Sequence, residues 1–251
     1  MRAGAVALVC ERAVVPSVPE VRVADSRRAM APLAAAFHDN PSHDLQVIGV
    51  TGTNGKTTTV RMVQAILEAH GTTTGVIGTL TGARTTPESS DLQRLLADLR
   101  DSGARAVAME VSSHALALHR VDATRFAAVA FTNLSRYHLD FHGSMEEYFK
   151  AKAQLFDTEF SSLAVIDVDT PHGKLLASTT SIPRVVRAGL GAVDVIELRA
   201  DGTRYRWRGL DVELPLPGRF NVSNAVVASE LCIGLGVAPG TVVEALGAMA
   251  A

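Results

Sequence analysis

Val47-Ile48-Gly49-Val50-Thr51-Gly52-Thr53-Asn54-Gly55-Lys56-Thr57-Thr58 runs from an apolar strand through a glycine-bearing turn into the start of a helix. This is the order that phosphate binding requires. Gly52 and Gly55 let backbone N–H groups close on an anion, and the helix N-terminus adds the positive end of its dipole. Lys56 can reach the β- and γ-phosphates of a nucleotide, and the Thr57 hydroxyl can ligate Mg²⁺. The stretch departs from G-x-x-x-x-G-K-[ST] at one place, because Val50 stands where the first glycine belongs. The alternative is a tight strand-to-helix turn with an exposed lysine, but packing alone does not account for Gly-Lys-Thr-Thr.

Around this stretch, strand-like runs alternate with helix-like periodic segments, the pattern of an α/β fold with a mostly parallel sheet flanked by helices. The spacing predicts a buried strand over Val6 to Cys10 and a helix over Ser26 to Phe37, capped by Asp25 or Ser26. A strand from Leu45 to Val50 leads to a helix from Thr57 to His70, with Val60, Val63 and Leu67 on one stripe and Gly71 as its C-terminal cap. Ser90 to Arg100 reads as a helix burying Leu92, Leu95, Leu96 and Leu99, and Ala104 to Met109 as the strand after it. Phe126 to Thr132 and Leu163 to Val168 read as further strands. Between them, Ser144 and Glu147 have capping-box spacing for a helix reaching about Phe156. Val185 to Leu214 is strand-rich, with Asp201-Gly202 as a hairpin turn. A helix follows over Val222 to Leu235, and another from Thr241 is expected to be cut in mid-course at Ala251.

The chain has 251 residues and a formal net charge of -2, which argues against a general nucleic-acid or membrane-surface binder. Its two cysteines, Cys10 and Cys232, lie in apolar surroundings with no C-x-x-C partner, and read as reduced, buried thiols of a cytoplasmic protein. No apolar run reaches the length needed to span a bilayer. The N-terminal run ends in Glu11 and Arg12 instead of a small-residue cleavage site, unlike a signal peptide.

Thr51-Gly52-Thr53-Asn54-Gly55-Lys56-Thr57 resembles the ATP loop of the Mur ligases, ATP-dependent amide-forming enzymes of peptidoglycan precursor synthesis that also lack the first Walker glycine. Thr85-Thr86-Pro87-Glu88, Met109-Glu110-Val111-Ser112-Ser113-His114-Ala115-Leu116, Thr132-Asn133-Leu134-Ser135 and His138-Leu139-Asp140-Phe141-His142-Gly143 resemble the MurE branch. That branch adds diaminopimelate or lysine to a UDP-linked muramoyl dipeptide. The resemblance implies a remnant of the N-terminal UDP-substrate domain and linker over 1–44, the central ATP-binding domain over 45–251, and no C-terminal amino-acid-binding domain. It covers nearly the whole chain.

The resemblance assigns Gly52, Thr53, Asn54, Gly55, Lys56, Thr57 and Thr58 to ATP. Glu110 ends an apolar strand at the sheet edge where α/β ligands bind, and so is a candidate Mg²⁺ carboxylate; an exposed strand-end acid would look the same. By resemblance His138 meets a second Mg²⁺, although a lone loop histidine is more often structural; His142 carries no such assignment. Tyr137 stands where the family usually has aspartate, which puts metal affinity in doubt. Lys152 falls on the apolar stripe of Met145, Tyr148, Phe149, Leu155 and Phe156, whereas Lys150 does not, so Lys152 points inward. Burial lowers an amine's pKa, and a neutral amine can take up carbon dioxide. By resemblance Lys152 is carbamylated and serves Mg²⁺; a snorkelling side chain is the alternative.

Thr85, Thr86, Ser112, Ser113 and Arg120 match positions that hold the UDP-linked dipeptide in the family, while Gly82-Ala83-Arg84 is shorter than the family pattern. Asn221 and Asn224, in Pro217-Gly218-Arg219-Phe220-Asn221-Val222-Ser223-Asn224-Ala225, match the adenine-binding segment, where an amide offers both donor and acceptor. A capped helix start would look similar. The expected activity is transfer of the γ-phosphoryl of ATP to a carboxylate, then attack of a diamino acid on the acyl phosphate. A non-catalytic nucleotide-binding module, or a subunit that needs a separately encoded missing domain, is the rival reading. A folylpolyglutamate-synthase-like ligase shares the loop but not the Ser-Ser-His-Ala-Leu and Thr-Thr-Pro segments.

Overall fold

A computed structural model describes residues 5–14, 18–136 and 139–249. In chain order its first half holds β1 (Leu8–Cys10), β2 (Glu20–Arg22), α1 (Ser26–Phe37), β3 (Gln46–Thr51), α2 (Lys56–Ala69), β4 (Thr74–Ile77), α3 (Ser89–Asp101), β5 (Ala106–Glu110), α4 (Ser113–Ala117) and β6 (Ala128–Phe131). Then come α5 (Leu139–His142), α6 (Met145–Ala153), β7 (Leu163–Asp167), α7 (Pro171–Thr179), β8 (Arg184–Ala188), β9 (Val193–Leu198), β10 (Thr203–Trp207), β11 (Leu210–Leu214), α8 (Arg219–Gly234) and α9 (Pro239–Gly247). Six parallel strands form the central sheet in the order β4-β5-β3-β6-β7-β8.

Alternation along the strands splits the core into two layers. Ile48, Val50, Ala106, Ala108, Ala128 and Ala130 face α2, α8 and α9, whose Val63, Ile66, Val222, Val226 and Val242 cover them. The alanines leave room for helices to approach the sheet. Val47, Val107, Met109, Val129 and Phe131 face the other way, against Leu92 and Leu96 of α3, Leu116 of α4 and Tyr148 of α6. An antiparallel sheet, β11-β10-β9, closes over the first layer with Tyr205 and Trp207 buried and Arg204 and Arg206 outside. The fold is therefore α/β with a strand-rich C-terminal part, as the sequence pattern predicts.

Several local expectations are corrected. The first strand is shorter than Val6 to Cys10 and is not buried: it pairs in parallel with β2, with Leu8 and Cys10 half-buried and Val9 and Val21 exposed. Cys10 is accordingly half-buried, whereas Cys232 lies in the core, where burial pushes its thiol pKa up. Arg184–Ala188, read as the start of a strand-rich tail, is the outermost strand of the parallel sheet beside β7. The last helix is not cut at Ala251. It closes at Gly247, with the Ala248 N–H donating to the Glu244 and Leu246 carbonyls, once Val242, Ala245 and Leu246 have buried its apolar stripe. Among the described residues no helix is long and apolar enough to cross a membrane.

Candidate active site

The loop after β3 emerges where the sheet order reverses, between β5 and β6, the crevice that binds ligands in open α/β sheets. Two close approaches explain its glycines. A Cβ on Gly52 would lie 1.9 Å from Thr132 Oγ1, and one on Gly55, whose φ is +84°, would lie 2.3 Å from Asn224 Oδ1. The loop is then laced to the end of β6. Asn133 accepts the Asn54 N–H at 3.0 Å through Oδ1 and donates to the Asn54 carbonyl at 3.1 Å, while Thr132 Oγ1 donates to that carbonyl at 2.7 Å. The Thr53 hydroxyl accepts the Ser135 N–H at 3.0 Å and lies 3.2 Å from the Tyr148 hydroxyl. A loop held this way, opening helix α2, presents the unpaired N–H groups of the first helical turn to an anion.

Glu110 ends β5 nearly fully buried and is met from two sides. The Thr57 hydroxyl donates to its Oε1 at 2.9 Å, and the Thr79 N–H donates to the same oxygen at 2.9 Å. Its hydrogen-bond donors among the described residues, Thr57 and Thr79, are all neutral groups. The carboxylate is thus suited to a metal ion arriving with the phosphates. Among the described residues no group of three or more His, Cys, Asp or Glu converges on one point. Mg²⁺ needs no such cage, because it is usually held by one or two protein oxygens, phosphates and water.

Two lysines share one carbonyl. Lys56 Nζ donates to the Gly52 carbonyl at 2.8 Å and to the Thr53 carbonyl at 2.9 Å, and Lys152 Nζ donates to the same Gly52 carbonyl at 2.9 Å. Lys152 is 1% exposed and lies over the Tyr148 ring, 4.7 Å from its centroid. Burial, and then the neighbouring Lys56 charge, hold the Lys152 amine well below its ordinary pKa of 10.5. Burial also lowers Lys56, against the opposing pull of Glu110. The inward direction read from periodicity is what the structure has, and Lys150 pairs with Glu146 and Glu147 in solvent.

On the β5 side, Thr86 Oγ1 donates to the Glu110 carbonyl at 2.9 Å and accepts the Ser112 N–H at 3.0 Å, so Thr86 and Ser112 meet at the strand end. Arg120 reaches the same place through Glu88 at 2.9 Å and the Thr86 carbonyl at 3.3 Å. Thr85 approaches through the Thr79 hydroxyl at 3.1 Å, whereas Ser113 is buried and its hydroxyl faces His142. On the α8 side, Asn221 and Asn224 share one buried face. Asn221 donates to the Pro217 carbonyl at 2.9 Å, and Asn224 rests on Gly55 of the phosphate loop itself. His138 and Tyr137 lie outside the described residues.

Sequence reasoning passed over Thr79, Asn133, Tyr148 and Asp167. Asp167 ends β7 as Glu110 ends β5, accepts from the Ser223 hydroxyl and the Asp169 N–H, and has its pKa raised by burial. An acid closing an apolar strand was the available signal. Tyr148 was legible only as an apolar stripe position, and Asn133 as part of a quoted motif with no task.

Comparison with known proteins matches the Mur ligase middle domain to residues 50–232. The chain belongs to the Mur ligase family. A Mur ligase relative from Geobacter metallireducens, named UDP-N-acetylmuramoyl-L-alanyl-D-glutamate--2,6-diaminopimelate ligase, is 42% identical over 95% of this chain and 52% of its own length. The Streptomyces coelicolor ligase of the same name is 40% identical, over 95% of this chain and 51% of its own. The chain therefore spans about half the length of these curated Mur ligase relatives. A solved structure of a ligase of that name superposes with a TM-score of 0.86 at 28% identity, covering 98% of this chain and 55% of the other. Folylpolyglutamate synthase of Mycobacterium tuberculosis, at 17% identity and a TM-score of 0.71 over 89% of this chain and 62% of its own, shares the fold alone.

Proposed function

We propose that this chain supplies the nucleotide-binding half of a MurE-type ligase, which uses ATP to join a diamino acid, by the relatives' names 2,6-diaminopimelate, to a UDP-linked muramoyl dipeptide. The observation that carries the reading is the convergence of Lys56, Lys152, Thr57 and Glu110 on one glycine loop. Lys56 turns from the loop carbonyls to the β- and γ-phosphates and places its charge where negative charge gathers as the phosphoryl group leaves. Thr57 and Glu110 would hold Mg²⁺, which would supply charge neutralisation on the phosphates. Thr85, Thr86, Ser112 and Arg120 line the side from which the dipeptide carboxylate approaches. Asn221 and Asn224 face the adenine side, and His138 would complete the metal region.

Lys152 has the property carbamate formation needs. Burial favours the neutral form of this amine, and that form would add to carbon dioxide, forming an N–C bond and releasing one proton, so that a carbamate would turn a buried amine into an anion beside the loop. The 1–44 segment leads toward the UDP end of the acceptor, and the diamino acid is held by the half of the ligase that this chain does not match. Calorimetric titration of the purified chain with Mg²⁺-ATP tests the reading. Binding in the micromolar to sub-millimolar range, abolished by Lys56→Ala, is expected. Absence of binding to the unaltered chain overturns it.

A further inference from the structure

His142 ends the short helix α5 and is left without a task by the chemistry above. Its Nε2 lies 2.9 Å from the Ser113 hydroxyl, and its ring stacks on Tyr148 with centroids 4.9 Å apart and planes 29° from parallel. His114 and Phe141 belong to the same cluster, with centroids 4.1 Å apart and His114 5.5 Å from His142. On one side Ser113 follows Ser112, whose N–H is fixed to Thr86 and whose hydroxyl caps α4. On the other, the Tyr148 hydroxyl meets Thr53 of the phosphate loop, and Lys152, one turn further along α6, bonds Gly52. The His142 imidazole thus lies between the edge given to the acceptor and the loop given to the nucleotide.

We infer that His142 is a positioning residue that couples the two ligands: an acceptor bound against Ser112 and Thr86 fixes Ser113, and through His142 and Tyr148 sets Thr53 and Lys152 for the nucleotide. An apolar ring would fill the same volume, but only a ring with nitrogen at its edge stacks on a tyrosine and also satisfies a buried serine hydroxyl. Tyr148 and Lys152 occupy one face of the same helix, so the His142 stack and the loop carbonyl are joined by a rigid element. The inference rests on the proposed function, which supplies the identity of both ligands.

The test is the affinity of the unaltered chain for a non-hydrolysable ATP analogue with Mg²⁺, measured calorimetrically with and without saturating UDP-N-acetylmuramoyl-L-Ala-D-Glu. The acceptor is expected to tighten nucleotide binding by roughly fivefold or more. His142→Ala should bring that factor to about one, His142→Gln, which keeps a polar nitrogen within reach of Ser113 but not the stack on Tyr148, should restore only part of it, and the double variant with Ser113→Ala should lose no more than either single. Should His142→Ala fail to fold, Ser113→Ala removes the same hydrogen bond by deleting one hydroxyl and carries the test. A folded variant that keeps the full factor overturns the inference, as does an unaltered chain that binds both ligands independently. A chain that binds the nucleotide but not the acceptor overturns this inference alone, and one that binds neither ligand overturns the proposed function with it.

Discussion

Lys152 places a titratable amine where only 1% of it meets solvent, and pH dependence follows from that. Its folded pKa lies below the ordinary 10.5, so between that lowered value and 10.5 the unfolded chain binds more protons than the folded one. Stability of the unaltered chain in carbonate-free buffer should therefore rise with pH across this window. Lys152→Met removes the linkage, and urea unfolding at stepped pH should show it more stable at neutrality, the pH-dependent part of the gain disappearing above 10.5. Addition of ¹³C-bicarbonate to the unaltered chain should give a carbamate carbon resonance that the variant lacks. Gly55 is governed by space instead of charge. Gly55→Ala places a methyl 2.3 Å from Asn224 Oδ1 at a φ of +84°, and should cost about 1–3 kcal/mol in urea unfolding and abolish nucleotide binding. Both positions were readable beforehand, because helix period and loop motif are local. Thr79 was not, since its N–H reaches Glu110 from a strand end that the sequence did not announce.

Elements whose apolar stripe is long are the ones that pattern recovers: α2, α3 and α6 lie within a few residues of their expected bounds, and Ser144 accepts the Glu147 N–H as capping-box spacing requires. β4 escaped because it is four residues long and contains Gly75, where a side chain would meet Leu99 at 2.8 Å. α7 escaped although Thr170 caps it and Pro171 opens it, because its buried face is only Gly173 and Leu176. β8 was legible as a strand but not as part of the parallel sheet, because strand pairing is not local: only its register with β7 tells a sheet edge from a hairpin. The antiparallel sheet is tied to α8 through Glu230, which accepts from the Trp207 indole at 3.1 Å and from two Arg208 nitrogens at 3.1 and 2.7 Å. Glu230→Ala leaves the indole N–H buried without its acceptor and strips Arg208 of its partner, and should cost about 3 kcal/mol. Ser144→Ala, which removes one cap bond at a solvent-facing helix start, should cost about 1 kcal/mol. Chemical denaturation of the two variants side by side checks the ranking, and equal losses would place Glu230 outside the energetics of the hairpin.

Across the whole molecule the site is assembled from the ends of β3, β5 and β6 and from α6, with Lys152 meeting Gly52 across 100 residues of chain. Each contributing segment could be quoted from the sequence, but not the laces between them, because those depend on strand order. The same distinction bears on where the body of the fold begins. The sequence reading places its start at 45, yet α1 packs on α3 with Ala31 and Ala35 buried, Arg27 reaches Glu88, and Arg100 donates to the His38 carbonyl. By contrast β1 and β2 form a separate ribbon, tied to α1 by Glu11 accepting from Ser26, with its valines in solvent. Packing energy should follow these contacts and not the family boundary. Deleting residues 1–24 should shift the melting temperature by no more than roughly 3 °C, because among the described residues it removes the exposed Glu11–Ser26 hydrogen bonds and little apolar burial. Deleting residues 1–44 also uncovers the α3 face beneath Ala31 and Ala35, and should lower it by roughly 5 °C or more beyond that. Thermal unfolding of the two truncations against the whole chain decides the matter: equal melts would make α1 dispensable and support 45 as the start, whereas the unequal pair assigns α1 to the nucleotide-binding body.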